Sequence, residues 1–360
     1  MKIAIFHNYL DNIGGAERVG LTLAKYLNAD IYSPVVNEDA IKKMGFDIKV
    51  KKMGWIPINA PFRQQMALHR FRNLNLGKKY DYYIIDGDWA MSGSVNNKPN
   101  LWYVHSPIRE IWDLYEYTRK HNVPWFARYI FDLWVFYNRY LNRKYVKHVG
   151  KLVCNSINTQ NRIKKFLKRD AVVINPPIET EKFHYKKTGD YWLSVNRLIT
   201  HKRVDMQMKA FSKLPDEKLI VVGCYEKSRH FQSYANYIQR IKPDNVTLLK
   251  SVSFDKLIDL YANCKGFITT SKNEDFGMTP VEAMASGKPV IAPNEGGYKE
   301  TVIDGVTGKL IDDINVERLI DAIKKIGKKP QKYKDACLKQ AKKFDTKEFI
   351  RKIKKQIEYD

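Results

Sequence analysis

Short apolar runs alternate with amphipathic stretches along the chain, the pattern of strands separated by helices. Lys2-Ile-Ala-Ile-Phe6 reads as a first strand. A loop with Gly14-Gly15 follows, then Ala16 to Leu27, whose apolar positions recur at helical spacing. Tyr82 to Ile85, Leu101 to Val104 and Lys151 to Cys154 read as further buried strands, the last preceded by a long helical region from Trp125 to Val149. Character changes between Val172 and Asp190, where Asn175-Pro176-Pro177 leads into a polar, basic run that reads as a linker. Six more strands are predicted at Tyr191–Val195, Leu219–Val222, Val246–Leu249, Gly266–Thr270, Pro289–Ile291 and Gly308–Ile311. Two helices, Val316 to Lys328 and Lys332 to Tyr359, close the chain. Strands alternating with helices argue for parallel sheets, hence an α/β fold. The expected organisation is two similar-sized domains, 1–174 and 191–340, with a linker at 175–190 and a cleft between them.

Composition narrows the class. At 360 residues and 42.2 kDa, with 44% hydrophobic and 12% aromatic residues, two packed cores are affordable. The four cysteines (Cys154, Cys224, Cys264, Cys337) form no close pair and fit reduced, buried thiols in a cytoplasmic protein. No signal peptide is expected, because the start of the chain is a strand. No transmembrane helix is expected either: Pro124 to Tyr140 is interrupted by Arg128, Asp132 and Arg139.

A formal charge of +24 calls for an anionic partner, whether nucleotide phosphates, nucleic acid or an acidic membrane face. Basic residues cluster at Lys42–Lys52, Arg63–Lys79 and Arg119–Lys151. No zinc-finger spacing, aromatic RNA-binding motif or basic heptad is present, so nucleic acid is not the expected partner. Aromatic and basic residues interleave from Trp125 to Tyr145, which suits a helix lying on a membrane surface and equally an ordinary amphipathic helix with solvated cations.

Candidate chemistry concentrates in residues 271–292. Glu274 and Glu282 stand eight apart across Phe276-Gly277 and the start of a helix. The run from Gly266 to Ser271 places Glu274 at the carboxyl end of a strand, where open α/β sheets bind ligands. Thr279, Pro280 and Glu282 read as a cap, a first-turn proline and a carboxylate three residues beyond the cap. Glu282 therefore has two readings, a sugar-hydroxyl acceptor or the second half of a capping box with Thr279. Arg197 lies just past another strand, with Lys202 five residues on, and two such cations can neutralise a diphosphate. His105 follows the Leu101–Val104 strand, and Gly14-Gly15 would let backbone N–H groups approach a ligand. Gly20 is misplaced for a dinucleotide-binding turn. Asp86-Gly-Asp88 resembles the metal–diphosphate pair of a different, one-domain glycosyltransferase architecture, which would leave the other candidates without a role.

Taken together, these residues resemble glycosyltransferase family 4, retaining enzymes of GT-B fold built from two Rossmann-like domains. Glu274-x7-Glu282 with Gly287-x-Pro289-Val290 looks like the E-x7-E motif, and Arg197 with Lys202 like the diphosphate-binding pair. Gly14-Gly15-Ala16-Glu17-Arg18-Val19 and His105-Ser-Pro-x-Arg109-x-x-Trp112-Asp113 look most like prokaryotic mannosyltransferases of surface-polysaccharide or lipid-linked glycan assembly. Arg203 departs from the pattern, in which a small residue commonly follows the lysine.

The resemblance implies that Glu282 holds ribose hydroxyls and Glu274 the donor sugar's hydroxyls. It gives the diphosphate or sugar to backbone N–H groups at Phe276, Gly277 and Met278, beside Thr279. His105 would meet the donor sugar near its C6 hydroxyl, and Gly14 and Gly15 would line the diphosphate or acceptor side. Segment 341–360 would be a helix crossing back to the first domain. No cofactor or metal is implied. The expected reaction moves a hexose, mannose from GDP-mannose, to a glycan or lipid-linked saccharide, in the cytoplasm or at the inner membrane face. The alternatives are a UDP-sugar-dependent transferase, a nucleotide-sugar epimerase of the same fold, and a basic RNA- or membrane-binding module.

Overall fold

The computed structural model describes residues 1–224, 229–250 and 252–358. It divides into two compact units, one formed by residues 1–175 with the chain end from Phe349, the other by Pro176–Glu348.

The first unit holds seven strands: β1 (Ile3–His7), β2 (Asp30–Ser33), β3 (Val50–Lys52), β4 (Tyr82–Asp86), β5 (Asn100–Val104), β6 (Lys151–Cys154) and β7 (Val172–Val173). Their order is β3-β2-β1-β4-β5-β6-β7, and all neighbours run parallel. β1, β4 and β5 are buried throughout, as expected of central strands covered on both faces by helices. Phe6 packs its ring 5.7 Å from both Tyr83 and Phe71 in this core. The strands that the apolar pattern missed, β2, β3 and β7, are short and lie toward the sheet's ends.

The second unit has six parallel strands: β8 (Tyr191–Arg197), β9 (Lys218–Cys224), β10 (Val246–Leu249), β11 (Gly266–Ile268), β12 (Val290–Pro293) and β13 (Gly308–Ile311). Their order is β10-β9-β8-β11-β12-β13. Trp192, Phe211, Tyr261 and Phe267 anchor its core. Both units are Rossmann-like. In each, strand order reverses once, between β1 and β4 and between β8 and β11. Loops leaving the carboxyl ends of those strands frame the crevice where such sheets take ligands.

Two expectations about the chain's punctuation change. Residues 176–190 are not a free linker: Ile178 and Phe183 are buried in the second core, and Ile178 bridges to Asp345. The Pro-Pro pair marks a turn, while the apolar residues after it find a core. The helix expected from Lys332 to Tyr359 is broken into Lys334–Ala341 and Thr346–Glu358. Asp345 is extended and accepts the Lys347 N–H at 2.9 Å, capping a new helix start. Residues 359 and 360 lie outside the described residues.

Phe349, Ile353 and Ile357 are the buried stripe of that last helix. The Phe349 ring sits 5.6 Å from Tyr103, and Lys151 Nζ donates to the Gln356 carbonyl at 2.8 Å. Cys154, Cys264 and Cys337 are buried free thiols, while the side chain of Cys224 lies outside the described residues. Among the described residues no helix is long and apolar enough to cross a membrane.

Candidate active site

In the second unit the site grows from the loop that links β11 to the Met278–Ala285 helix. Parallel pairing sets Phe267 against Leu193, so the residues following β11 and those following β8 emerge at the same sheet edge. Arg197 closes β8 and is exposed. The Thr200–Lys202 turn follows it, and there Lys202 Nζ reaches Glu274 Oε2 at 2.5 Å. The lysine is held from behind: Thr270 Oγ1 donates to its carbonyl at 2.8 Å, and Gln207 Nε2 donates to Thr270 Oγ1 at 2.9 Å. Burial alone would raise the Glu274 carboxyl, yet the Lys202 ammonium outweighs it and brings the carboxyl down to about 2. Glu274 is therefore a half-buried, permanently charged acceptor at neutral pH.

Gly277 caps the helix with φ +92°, a left-handed conformation, and makes no side-chain cap bond. An added Cβ there would stand 2.7 Å from the Tyr298 ring. The helix begins at Met278, so Thr279 and Pro280 lie inside its first turn and Thr279 is not the cap. This corrects the capping-box reading of Glu282: the cap is a glycine, and Glu282 points elsewhere. It is 5% exposed, and the fully buried Tyr261 donates its hydroxyl to Glu282 Oε2 at 2.8 Å. A helix start whose cap offers no side-chain acceptor turns its first N–H groups toward an anion.

Several supporting residues carried no signal in the sequence motif. Gly296 (φ +60°) and Gly297 pack directly on the 273–276 backbone, where a Cβ on either would stand 2.4–2.5 Å from Phe276 Cα or the Glu274 carbonyl oxygen. Gly297 N–H also donates to the Glu274 carbonyl at 2.8 Å. Arg203, the departure from the motif, adopts φ +50° and clasps the same loop. Its Nε donates to the Thr270 carbonyl at 2.6 Å and its Nη2 pairs with Glu295, whose other oxygen accepts the Asn273 N–H at 3.3 Å. The sequence offered one hint, the Gly296-Gly297 pair in the loop after β12.

In the first unit the same switch-point logic gathers His7, Asp86 and His105. Asp86 is buried; its Oδ2 pairs with His7 Nδ1 at 2.8 Å and its Oδ1 with His105 Nε2 at 2.7 Å. Burial pushes the Asp86 carboxyl up, but the two imidazoles bring it below its ordinary value. Burial pulls the His7 imidazole down, and Asp86 more than restores it, leaving it raised. Gly20, misplaced for a dinucleotide turn, has a packing role, since a Cβ there would lie 2.4 Å from Asp86 Oδ2. Asp88 takes a hydrogen bond from Asn8 and from its own neighbour, Trp89 N–H at 2.9 Å. Gly14 caps the Gly15–Leu27 helix without a side-chain bond, so Gly15 is that helix's first residue. Of the expected site residues, Glu274 and Lys202 are in direct contact, with Arg197, Phe276, Gly277, Met278 and Thr279 on the same edge and Glu282 in the helix that follows.

Residues 177–344 match the family described as Glycosyl transferases group 1. The match lies within the second unit and covers a little under half of the chain, which is thus similar to GT-B glycosyltransferases of the family 4 kind. This GT-B chain is 29% identical to an uncharacterized glycosyltransferase of Methanocaldococcus jannaschii, over 51% of its own length and 52% of that protein. It is 32% identical to the alpha-1,3/1,6-mannosyltransferase ALG2 of Dictyostelium discoideum, over 51% of its length and 48% of that protein. It thus spans about half the length of these two relatives. The crystal structure of Anabaena HepE in complex with UDP and glucose shares the fold, with a TM-score of 0.78 at 18% identity, covering 99% of both chains.

Proposed function

We propose that the protein transfers a hexose, mannose from GDP-mannose, to a glycan or lipid-linked saccharide, retaining the anomeric configuration and using no metal. The observation that carries the reading is the Lys202–Glu274 pair on the loop entering the Gly277-capped helix, at the switch point of the second sheet. Departure of the nucleoside diphosphate is the hard step, because it carries charge away. Lys202, with three donors on its ammonium, can keep one on Glu274 and give another to a phosphate oxygen. Arg197 and the N–H groups of Phe276, Gly277 and Met278 share the load, each preorganised donor contributing about 2.7–4 kcal/mol. Thr279 lines the same helix turn.

Glu274, ionised throughout the neutral range, accepts from the donor sugar's hydroxyls, and Glu282, steadied by Tyr261, accepts from the ribose. In the first unit, Gly14 and Gly15 line the diphosphate or acceptor side, and His105 serves the C6 hydroxyl of the sugar. Its Nε2 is committed to Asp86, which leaves Nδ1 as the atom offered to a ligand. The preference for mannose is supported by the mannosyltransferase relative, and the place of action is the cytoplasm or the inner face of the membrane.

A second reading, a UDP-sugar donor, is favoured by the UDP held in the HepE structure. Incubation with radiolabelled GDP-mannose or UDP-glucose and a membrane extract separates the two. Transfer from GDP-mannose, lost in Lys202→Ala and Glu282→Ala, is the expected result. Consumption of donor without an acceptor would instead point to an epimerase, and full transfer in both variants would remove the site assignment.

A further inference from the structure

We infer that the Arg128–Val146 helix is a docking surface for anionic lipid bilayers. This helix is apolar on two faces. Val135, Leu141, Tyr145 and Val146 are buried against the first unit's core. On the opposite side, Phe126, Ile130, Leu133, Tyr137 and Tyr140 follow one another at spacings of three and four, the signature of a single stripe, and all are exposed. Trp125, Tyr129 and Phe136 widen it, with Trp125 80% and Phe136 77% exposed. A group of eight large apolar side chains within sixteen residues far exceeds the scattered exposure of ordinary surfaces and marks an interaction site. The Phe62–Asn73 helix lies beside it, joined by Gln65 Nε2 to Asn138 Oδ1 at 2.8 Å, and adds an exposed Phe62 at its start.

Charge selects the occupant. From Asp47 to Asp81 there is no intervening carboxylate, while eight lysines and arginines fall in that span, three of them (Lys51, Lys52 and Arg63) paired with Asp30, Glu38 and Asp11 from outside it. Between Tyr115 and Lys151 a further seven lysines and arginines stand against two carboxylates, Glu116 and Asp132, of which Asp132 is already paired with Arg119 at 2.8 Å. An apolar aromatic stripe bordered by cations matches the acyl boundary and the phosphates of an acidic leaflet. A second copy of the chain would press these cations against their own kind, in a protein already at +24. The Ile130 and Leu133 positions also suit acyl chains better than stacked bases. The inference stands on this surface alone and goes beyond the transfer reaction, since it holds whatever sugar is moved.

Vesicle flotation tests it with the full chain. Vesicles of phosphatidylcholine alone are compared with vesicles holding 30% phosphatidylglycerol, in about 100 and about 500 mM NaCl, using wild type and the triple variant Phe126→Ser/Ile130→Ser/Phe136→Ser. Wild type is expected to float with the anionic vesicles at low salt and to partition at least about tenfold less onto neutral ones or at high salt. The triple variant is expected to lose at least about tenfold of the anionic partitioning. Its circular dichroism and its melting-temperature shift with GDP or UDP, read on the same samples, report whether it has folded and whether the second unit is intact. Equal flotation on both vesicle types, or undiminished flotation of a folded triple variant, overturns the inference. So does light scattering that shows a wild-type dimer converted to monomer by the same substitutions, which would assign the stripe to a second copy.

Discussion

Replacing Lys202 by methionine keeps most of the side chain's volume and removes the charge that does most to hold the Glu274 carboxyl down. The carboxyl moves from an ordinary 4.5 to about 2 in the folded protein. At 1.36 kcal/mol per pKa unit, that difference corresponds to about 3 kcal/mol of stability present at neutral pH. The pair is not sealed from water, the Glu274 side chain being 21% exposed, so solvent screens part of it and about 1–3 kcal/mol is the expected coupling. A cycle of Lys202→Met, Glu274→Gln and the double variant, followed by urea denaturation at pH 7, measures it directly.

The pH dependence carries its own sign. Because the folded-state value is depressed, the stabilisation is full above about 4.5 and disappears as pH falls toward about 2. Wild type should therefore lose the extra stability over that window, while Glu274→Gln, which has no carboxyl to protonate, should lack this component of the acid limb. A coupling below about 0.3 kcal/mol, or superimposable acid limbs for wild type and Glu274→Gln, would refute the reasoning.

Gly297→Ala should force the 274–276 backbone outward, because its Cβ would sit 2.4 Å from Phe276 Cα; a loss of about 1–3 kcal/mol in urea and a weaker nucleotide affinity are expected. Gly305→Ala is the control, with positive φ but open space around it, and should leave nucleotide affinity unchanged. Asp86→Asn should free the His105 ring and remove the partner that raises His7, so kcat should fall while nucleotide affinity in the second unit stays constant. The same substitution should also flatten the wild-type stability that His7 contributes below about 6.5 and that is lost as pH rises through its raised value; unaltered kcat together with an unaltered pH profile would count against a positioning role.

The fold was readable because central parallel strands are short, continuous apolar runs, and β4, β5 and β6 are of that kind. β2 and β3 escaped because Asp30, Lys51 and Lys52 dilute the run, so pairing rather than sequence makes them strands. At the site, Glu274, Lys202 and Gly277 were legible since a charged residue or a glycine at a strand's carboxyl end follows a local rule. Thr279 misled for the same reason: the T-x-x-E pattern is local, but the left-handed Gly277, wedged against Tyr298, sets the helix start. Arg203 was visible only as a departure from the motif, and the contacts of Arg203, Glu295 and Tyr261 could not be read, as each acts on residues 21 to 92 positions away in sequence. Asp86 was seen only as half of a metal pair, because its two imidazole partners come from β1 and from the loop after β5.

The central claim is that residues of the second sheet's edge form a nucleoside diphosphate seat. A melting-temperature series with GDP, UDP and ADP on wild type, Lys202→Ala and Glu282→Ala tests it most directly. At a nucleotide concentration 100 times Kd, a single site adds about 2.7 kcal/mol. A rise of about 5–10 °C is therefore expected in wild type with the cognate nucleotide, most with GDP, and little or none in either variant. No rise with any nucleotide, or the same rise in all three proteins, would contradict the account.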